Sequence, residues 1–285
     1  MLSYRHAFHA GNFADVLKHL VLLESLFYLT QKDKPVWYAD SHAGGGGYAL
    51  NSHQAQKNAE FVNGIGRLWQ ASDAPQAVGR YLQQVAAFNQ QNQSTDLSYY
   101  PGSPWLAQSV LREQDRLSLF ELHAQENLIL QQTLALGGRD RRLKVFEQDG
   151  FQGVIAQLPP KERRGLVLID PSYEIKTDYE RVVEVLVQAH KRFATGSYLL
   201  WYPVVERQRI HQLEKALRAS GMRNISLYEL GLSDDTSGRG MTASGMVVIN
   251  PPWTLHATMQ QVLPWLVEQL APKTGFYRAD ILVEE

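Results

Sequence analysis

The chain contains no cysteine. That removes disulfides, thiolate-ligated zinc, thiolate-bound iron–sulfur clusters and a thiolate nucleophile. No apolar run reaches the roughly 18 residues that a membrane-spanning helix needs. A basic excess is missing too: 28 Lys and Arg face 29 Asp and Glu, for a net charge of −1. Nonspecific coating of long nucleic acid would need such an excess, so any nucleic-acid footprint must be local. The basic groups that do cluster, Arg139, Arg141, Arg142 and Lys144, then Lys161, Arg163 and Arg164, read first as solvated faces and loops. The opening "MLSYRHAFHAGN" lacks a signal peptide's charged-then-apolar pattern. A cytoplasmic location with no membrane partner is the expectation. His6, His9 and His19 lack the carboxylate–histidine spacing of a metal site, so no metal is expected.

What is there is an ordinary globular composition, with 285 residues, 44% hydrophobic and 20% charged. A first helix starts after Asn12, which can cap it, with Asp15 three residues on in the manner of a capping box. "PVWYAD" reads as a buried strand, and the glycine-rich turn "SHAGGGGY" follows it. Residues 52–100 change character: rich in Gln, Asn and Ala, with helical periodicity and no strand signal, they read as a helical insertion that ends at "YYPGSP". Strand–helix alternation then resumes through "LSLFELH", "LKVFEQDG", "GLVLID", "GSYLLWYPV", "NISLYELGL" and "GMVVINPPW", with "LPWLVEQLAP" as the last helix. Such alternation implies an α/β fold with a mostly parallel sheet and helices on both faces. The expected division is one domain over 1–51 and 101–285, with 52–100 as a small helical subdomain.

In parallel sheets a ligand lies at the carboxyl ends of the strands. Here those ends carry Asp40, Glu121, Asp149 and Asp170. The glycines lack the G-x-G-x-x-G spacing with an acid about 20 residues on, and no Walker lysine follows them. Asp40 disfavours a pyrophosphate by like-charge repulsion and suits a sulfonium with an ammonium nearby. Glu121 can accept both ribose hydroxyls, and Asp149 an adenine amino group. That set describes S-adenosylmethionine (AdoMet); the plainer alternative is a turn that only reverses the chain.

The fourth acid opens "DPSY". Asp170 and the carbonyl of Pro171, rigidly aimed, can each accept from an exocyclic amine. Tyr173 offers a face for stacking. The clamp favours the pyramidal amine whose lone pair can attack. An ordinary Asp, with a pKa of about 3.9, is a feeble base toward a neutral amine, so Asp170 positions and stabilises charge. Without a cysteine, the usual thiolate-initiated methylation of pyrimidine C5 is closed, and nitrogen is the expected acceptor. A second exit, "INPPW" (Ile249–Trp253), has a similar look but comes after the later strands; it reads as a strand end away from the site.

"YRHAFHAGNFADVLKH", "DSHAGGGGY", "YYPGSP", "FELH", "DGF", "LIDPSYE", "LWYPVV" and "GMTASGMVVINPPW" together resemble the RlmJ family, bacterial 23S rRNA adenine-N6 methyltransferases. The resemblance runs nearly end to end. It implies a Rossmann-like methyltransferase with a helical subdomain, acting as a monomer on rRNA free of ribosomal protein. Carried over by position, His19, His42, Ser103, Glu121, Asp149, Gly150 and Asp170 would contact AdoMet. Tyr4, His6 and Lys18 would close the site and hold the target adenosine or its phosphate. The family pattern is Asp-Pro-Pro-Tyr, and Ser172 departs from it, loosening the backbone and adding an N–H. The clamp alone equally serves guanine N2 in rRNA or adenine N6 in DNA. A reading of another class is a non-catalytic DNA-binding protein that supports use of external DNA; the row of acids argues against it.

Overall fold

The computed structural model describes residues 5–175, 177–234 and 240–285. Helix α1 (Phe13–Thr30) leads. Asn12 caps it, its side chain accepting the Asp15 amide at 2.9 Å. Asp15 does not complete a capping box; its carboxylate takes the Gly11 amide instead. From Phe13 to Leu26 every residue of α1 is buried, the polar ones included. A helix covered on all sides lies inside the molecule, so its polar residues must be satisfied from within.

Strand β1 (Trp37–Asp40) follows, then the short β2 (Gly47–Ala49), helices α2 (His53–Asn58), α3 (Ile65–Leu68) and α4 (Gln76–Gln91), and β3 (Tyr99–Pro101). β2 and β3 pair antiparallel and form the stem from which the helical stretch departs, a pairing the sequence did not advertise. Ile65, Leu68, Val78, Tyr81, Val85 and Phe88 of that stretch are buried in the same core as α1. Next come α5 (Ser103–Val110), β4 (Arg116–Phe120), α6 (Ala124–Ala135), β5 (Leu143–Phe146), α7 (Gly150–Gln157), β6 (Gly165–Ile169), α8 (Asp178–Arg192), β7 (Ser197–Val204), α9 (Arg207–Ala219), β8 (Ile225–Gly231), β9 (Ala243–Ile249), α10 (Leu255–Leu270) and β10 (Phe276–Val283). β10 was not expected: as an edge strand only partly buried it shows no apolar run.

The eight-stranded sheet has the order β10-β8-β9-β7-β6-β1-β4-β5. β9 and β10 run against the other strands. Successive residues alternate between the faces. Tyr38, Leu166, Leu168 and Leu199 point into the core with α1, α5 and α10, whereas Trp37, Ala39, Val167, Ile169 and Leu200 pack against α7, α8 and α9. Cover on both faces explains why these strands read as continuous apolar runs. Strands β6, β1, β4 and the edge strand β5 are successive neighbours and parallel, so four carboxyl ends share one edge.

Candidate active site

Three of the four strand-end acids line a cavity at that edge; the fourth lies beneath it. Asp40 is fully buried rather than facing a cation. It accepts Tyr38 Oη at 2.8 Å, Ser103 Oγ at 2.7 Å and the His42 amide at 3.3 Å. Burial pushes its carboxyl up to about 6. Its role is to anchor Ser103 and the turn from below. Glu121 does face the cavity. Its two oxygens accept the Gly44 amide at 2.9 Å and the His123 amide at 2.8 Å, leaving each a further lone pair. Burial raises its pKa despite those bonds. Gly44 has φ +57°, and a Cβ there would meet Tyr48 Oη at 2.5 Å; the turn needs glycine to deliver this amide.

Asp149 caps α7 through Gln152 at 3.2 Å and takes the Arg181 guanidinium at 2.7 Å. Burial works to raise its pKa, but the Arg181 bond and charge prevail and hold it below the usual range. At Gly150 a Cβ would lie 1.7 Å from the Ser41 carbonyl, so only glycine lets the two rim loops cross. His42 lies edge-on to Phe151 with centroids 4.9 Å apart. Burial lowers its pKa to about 4 and that of His19 to about 3, so both rings are neutral near pH 7. His19 Nδ1 shares a hydrogen bond with Tyr100 Oη at 2.8 Å. Its Nε2 is buried and has no partner among the described residues, although His19 stands on the cavity wall. An orphaned buried nitrogen is costly unless a ligand atom meets it. Acceptors at Glu121 and Asp149, neutral imidazoles, Ser103 and a glycine crossing fit AdoMet's hydroxyls, amines and cationic sulfur.

A second cleft opens on the other side of Asp170. Tyr173, Tyr179 and Trp201 line it, with Asp15, Glu60 and Arg209. The two cavities share four walls: His6, Lys18, Asp170 and Ser172. Pro171 lines the first cavity. Tyr173 sits at φ +53°, a strained setting for a bulky residue. Its hydroxyl donates to the Trp201 carbonyl at 2.7 Å and its ring lies 4.5 Å from Tyr179. Lys18 is buried and bridges Asp170 at 2.6 Å and Asp15 at 2.9 Å. It therefore reaches a ligand only as part of the wall, not as an outstretched phosphate anchor. Burial alone would lower its pKa; the two carboxylates raise it instead. Asp170 is pushed up by burial, against the pull of Lys18. His6 Nε2 donates to Asp15 at 2.8 Å. Tyr4 lies outside the described residues.

A family model described as "Ribosomal RNA large subunit methyltransferase D, RlmJ" matches residues 33–283. The chain belongs to the RlmJ family. It is 50% identical to "Ribosomal RNA large subunit methyltransferase J" of Escherichia coli (strain K12), over 100% of both chains. It is 48% identical to the Haemophilus influenzae protein of the same name, again over 100% of both. A Legionella pneumophila crystal structure is 38% identical, with a TM-score of 0.87 over 96% of this chain and 98% of that one.

Several wall residues of this RlmJ-family site escape sequence reasoning. Arg181, which holds Asp149, looks like any polar residue early in α8. Its one sequence signal is its place one helical turn after Asp178, itself on the cavity wall. Asp15 reads as a cap until α1 is seen to be buried. Trp201 was visible only inside the quoted "LWYPVV". Asn250, by contrast, lies at the opposite sheet edge, because β9 runs antiparallel to β7.

Proposed function

We propose that this RlmJ-family enzyme transfers a methyl group from AdoMet to the exocyclic N6 of an adenosine in 23S rRNA, as protein-free or early-assembly RNA. The observation that carries the reading is the shared wall: a cavity fitted to AdoMet and an aromatic cleft meet at Asp170. The curated relatives' names, ribosomal RNA large subunit methyltransferases, supply the substrate class. The enzyme acts as a monomer in the cytoplasm, as one Rossmann-like domain over 1–51 and 101–285 with 52–100 as a helical subdomain.

AdoMet, when bound, supplies a methyl group on an electrophilic sulfonium. Glu121 accepts its ribose hydroxyls and Asp149 its adenine amine, with His19, His42, Ser103 and Gly150 around it. On the acceptor side, Asp170 and the Pro171 carbonyl take the two N–H bonds of the target amine and favour its pyramidal form. Lys18 keeps Asp170 ionised against burial. Tyr173 stacks on the base, with His6 and Tyr4 closing the junction. The proton leaves after transfer, from the now acidic nitrogen to Asp170 or water. Extruding the adenosine costs a few kcal/mol, least in unpaired RNA.

Labelled AdoMet offered with protein-free 23S rRNA, intact ribosomes and DNA tests the reading. N6-methyladenosine in the free rRNA is expected. Label in N2-methylguanosine or only in DNA would replace the acceptor assignment, and no label in any substrate would favour a binding protein.

A further inference from the structure

We propose that Asp15 is a positioning residue for methyl transfer: it anchors Lys18 on one oxygen of Asp170 and so leaves the other facing the acceptor amine. The proposal rests on the methyltransfer reading above.

Asp15 is 2% exposed, in the first turn of α1. Capping does not exhaust its role: Asn12 accepts Asp15's own amide at 2.9 Å, and the Asp15 carboxylate makes further bonds. Its two oxygens are divided. Oδ2 accepts His6 Nε2 at 2.8 Å and the Gly11 amide at 2.9 Å, and Oδ1 holds Lys18 Nζ at 2.9 Å. The same ammonium donates to Asp170 Oδ2 at 2.6 Å. No hydrogen bond from the described residues reaches Asp170 Oδ1, although Asp170 lines both cavities.

A lysine on its four-carbon stem has no preferred approach to a carboxylate. With a single partner, the ammonium would straddle both Asp170 oxygens and cover the one the amine needs. A second, buried carboxylate 2.9 Å from Nζ holds it to Oδ2. Burial opposes the charge on Asp15, but His6 and Lys18 overcome it and keep this carboxyl well below the usual range. The anchor is thus ionised whenever Asp170 is. By holding His6 on its other oxygen, Asp15 also fixes a second wall shared by the two cavities.

Asp15→Asn keeps the shape and one acceptor and removes the charge. Methyl transfer to protein-free 23S rRNA, calorimetric AdoMet binding and a crystal structure of the variant are measured together. A group misplaced by about 1 Å costs on the order of 100-fold, so kcat should fall by about that factor. KM for RNA and the AdoMet Kd should stay within about threefold, as for an interaction made only in the transition state. The crystal structure should show Lys18 Nζ moved toward Asp170 Oδ1. Asp15→Glu should recover about tenfold of the lost kcat, and it carries the test if the Asn variant does not fold. An Asn variant with kcat within about threefold of wild type overturns the proposal, as does Lys18 unmoved in the crystal. If the wild-type protein leaves 23S rRNA unmethylated, the substrate reading falls; the position of Lys18 then decides this proposal by itself.

Discussion

Two strand exits in this molecule are close to interchangeable on paper. Asp170-Pro171-Ser172-Tyr173 follows β6, and Asn250-Pro251-Pro252-Trp253 follows β9. Each has a residue in the left-handed region, Tyr173 at φ +53° and Asn250 at φ +51°, and each ends in an aromatic. Strand direction separates them. β6 runs with β1 and β4 and ends beside Asp40 and Glu121, whereas β9 runs against β7 and ends at the opposite edge. Asp170 meets a buried ammonium and two cavities. Asn250 donates to the carbonyls of Ala194 and Gly196, both at 2.8 Å, and its own carbonyl accepts Ser197 Oγ at 2.9 Å. Its amide ties down the loop before β7, and Trp253 is 79% exposed. A proline-stiffened clamp is chemistry only when its strand delivers it to the right edge.

Exchanging the polar heads should break the likeness most sharply. Asp170→Ala should lower kcat by about 10²–10³-fold, the usual cost of removing one preorganised contact to charge that develops in the transition state. Asn250→Ala should leave kcat within about twofold and cost about 1 kcal/mol of stability, since of the two carbonyls it releases the one on exposed Ala194 turns to water. Urea unfolding and single-turnover assays read both. The aromatics should differ next. Tyr173→Ala should weaken RNA binding by about 1–3 kcal/mol, the usual worth of a stacked base, with AdoMet affinity unchanged in calorimetry. Trp253→Ala should move neither.

The pH response sharpens the contrast. Asp170 acts as a carboxylate, so kcat falls as pH drops through its pKa. Burial holds that pKa above the ordinary value of about 3.9. The acid loss in the rate profile should therefore begin above that pH, and an Asn amide at the other exit contributes no such limb. A small effect is also expected of Ser172→Pro, which makes the exits alike. No described residue accepts the Ser172 amide, so kcat should change by less than about threefold.

Much of the rim was readable because a parallel strand buried on both faces is an apolar run, and its end is marked by the first charge. Glu121 and Asp170 announce themselves in this way, whereas Asp149 follows Glu147 beyond the partly buried edge strand β5 and is marked as the cap of α7. Asp40 obeyed the same pattern yet faces inward, since Tyr38 and Ser103 claim its Oδ2 and the His42 amide its Oδ1; no periodicity reports that. Asp15 was opaque for another reason, and Lys18 was marked only by the family resemblance. A polar residue in a helix looks solvated until tertiary packing covers every side of that helix, and α1 is covered by the sheet, α5 and α10. Arg181 and β10 stayed hidden because partners far away in sequence define them.

The most direct measurement is a crystal structure of the enzyme with an AdoMet analogue and adenosine bound together. The adenosine N6 should lie within hydrogen-bond reach of Asp170 Oδ1 and roughly 3–3.5 Å from the transferring carbon's position. An adenosine held elsewhere, or an analogue seated away from Glu121 and Asp149, would contradict the meeting of the two cavities at Asp170.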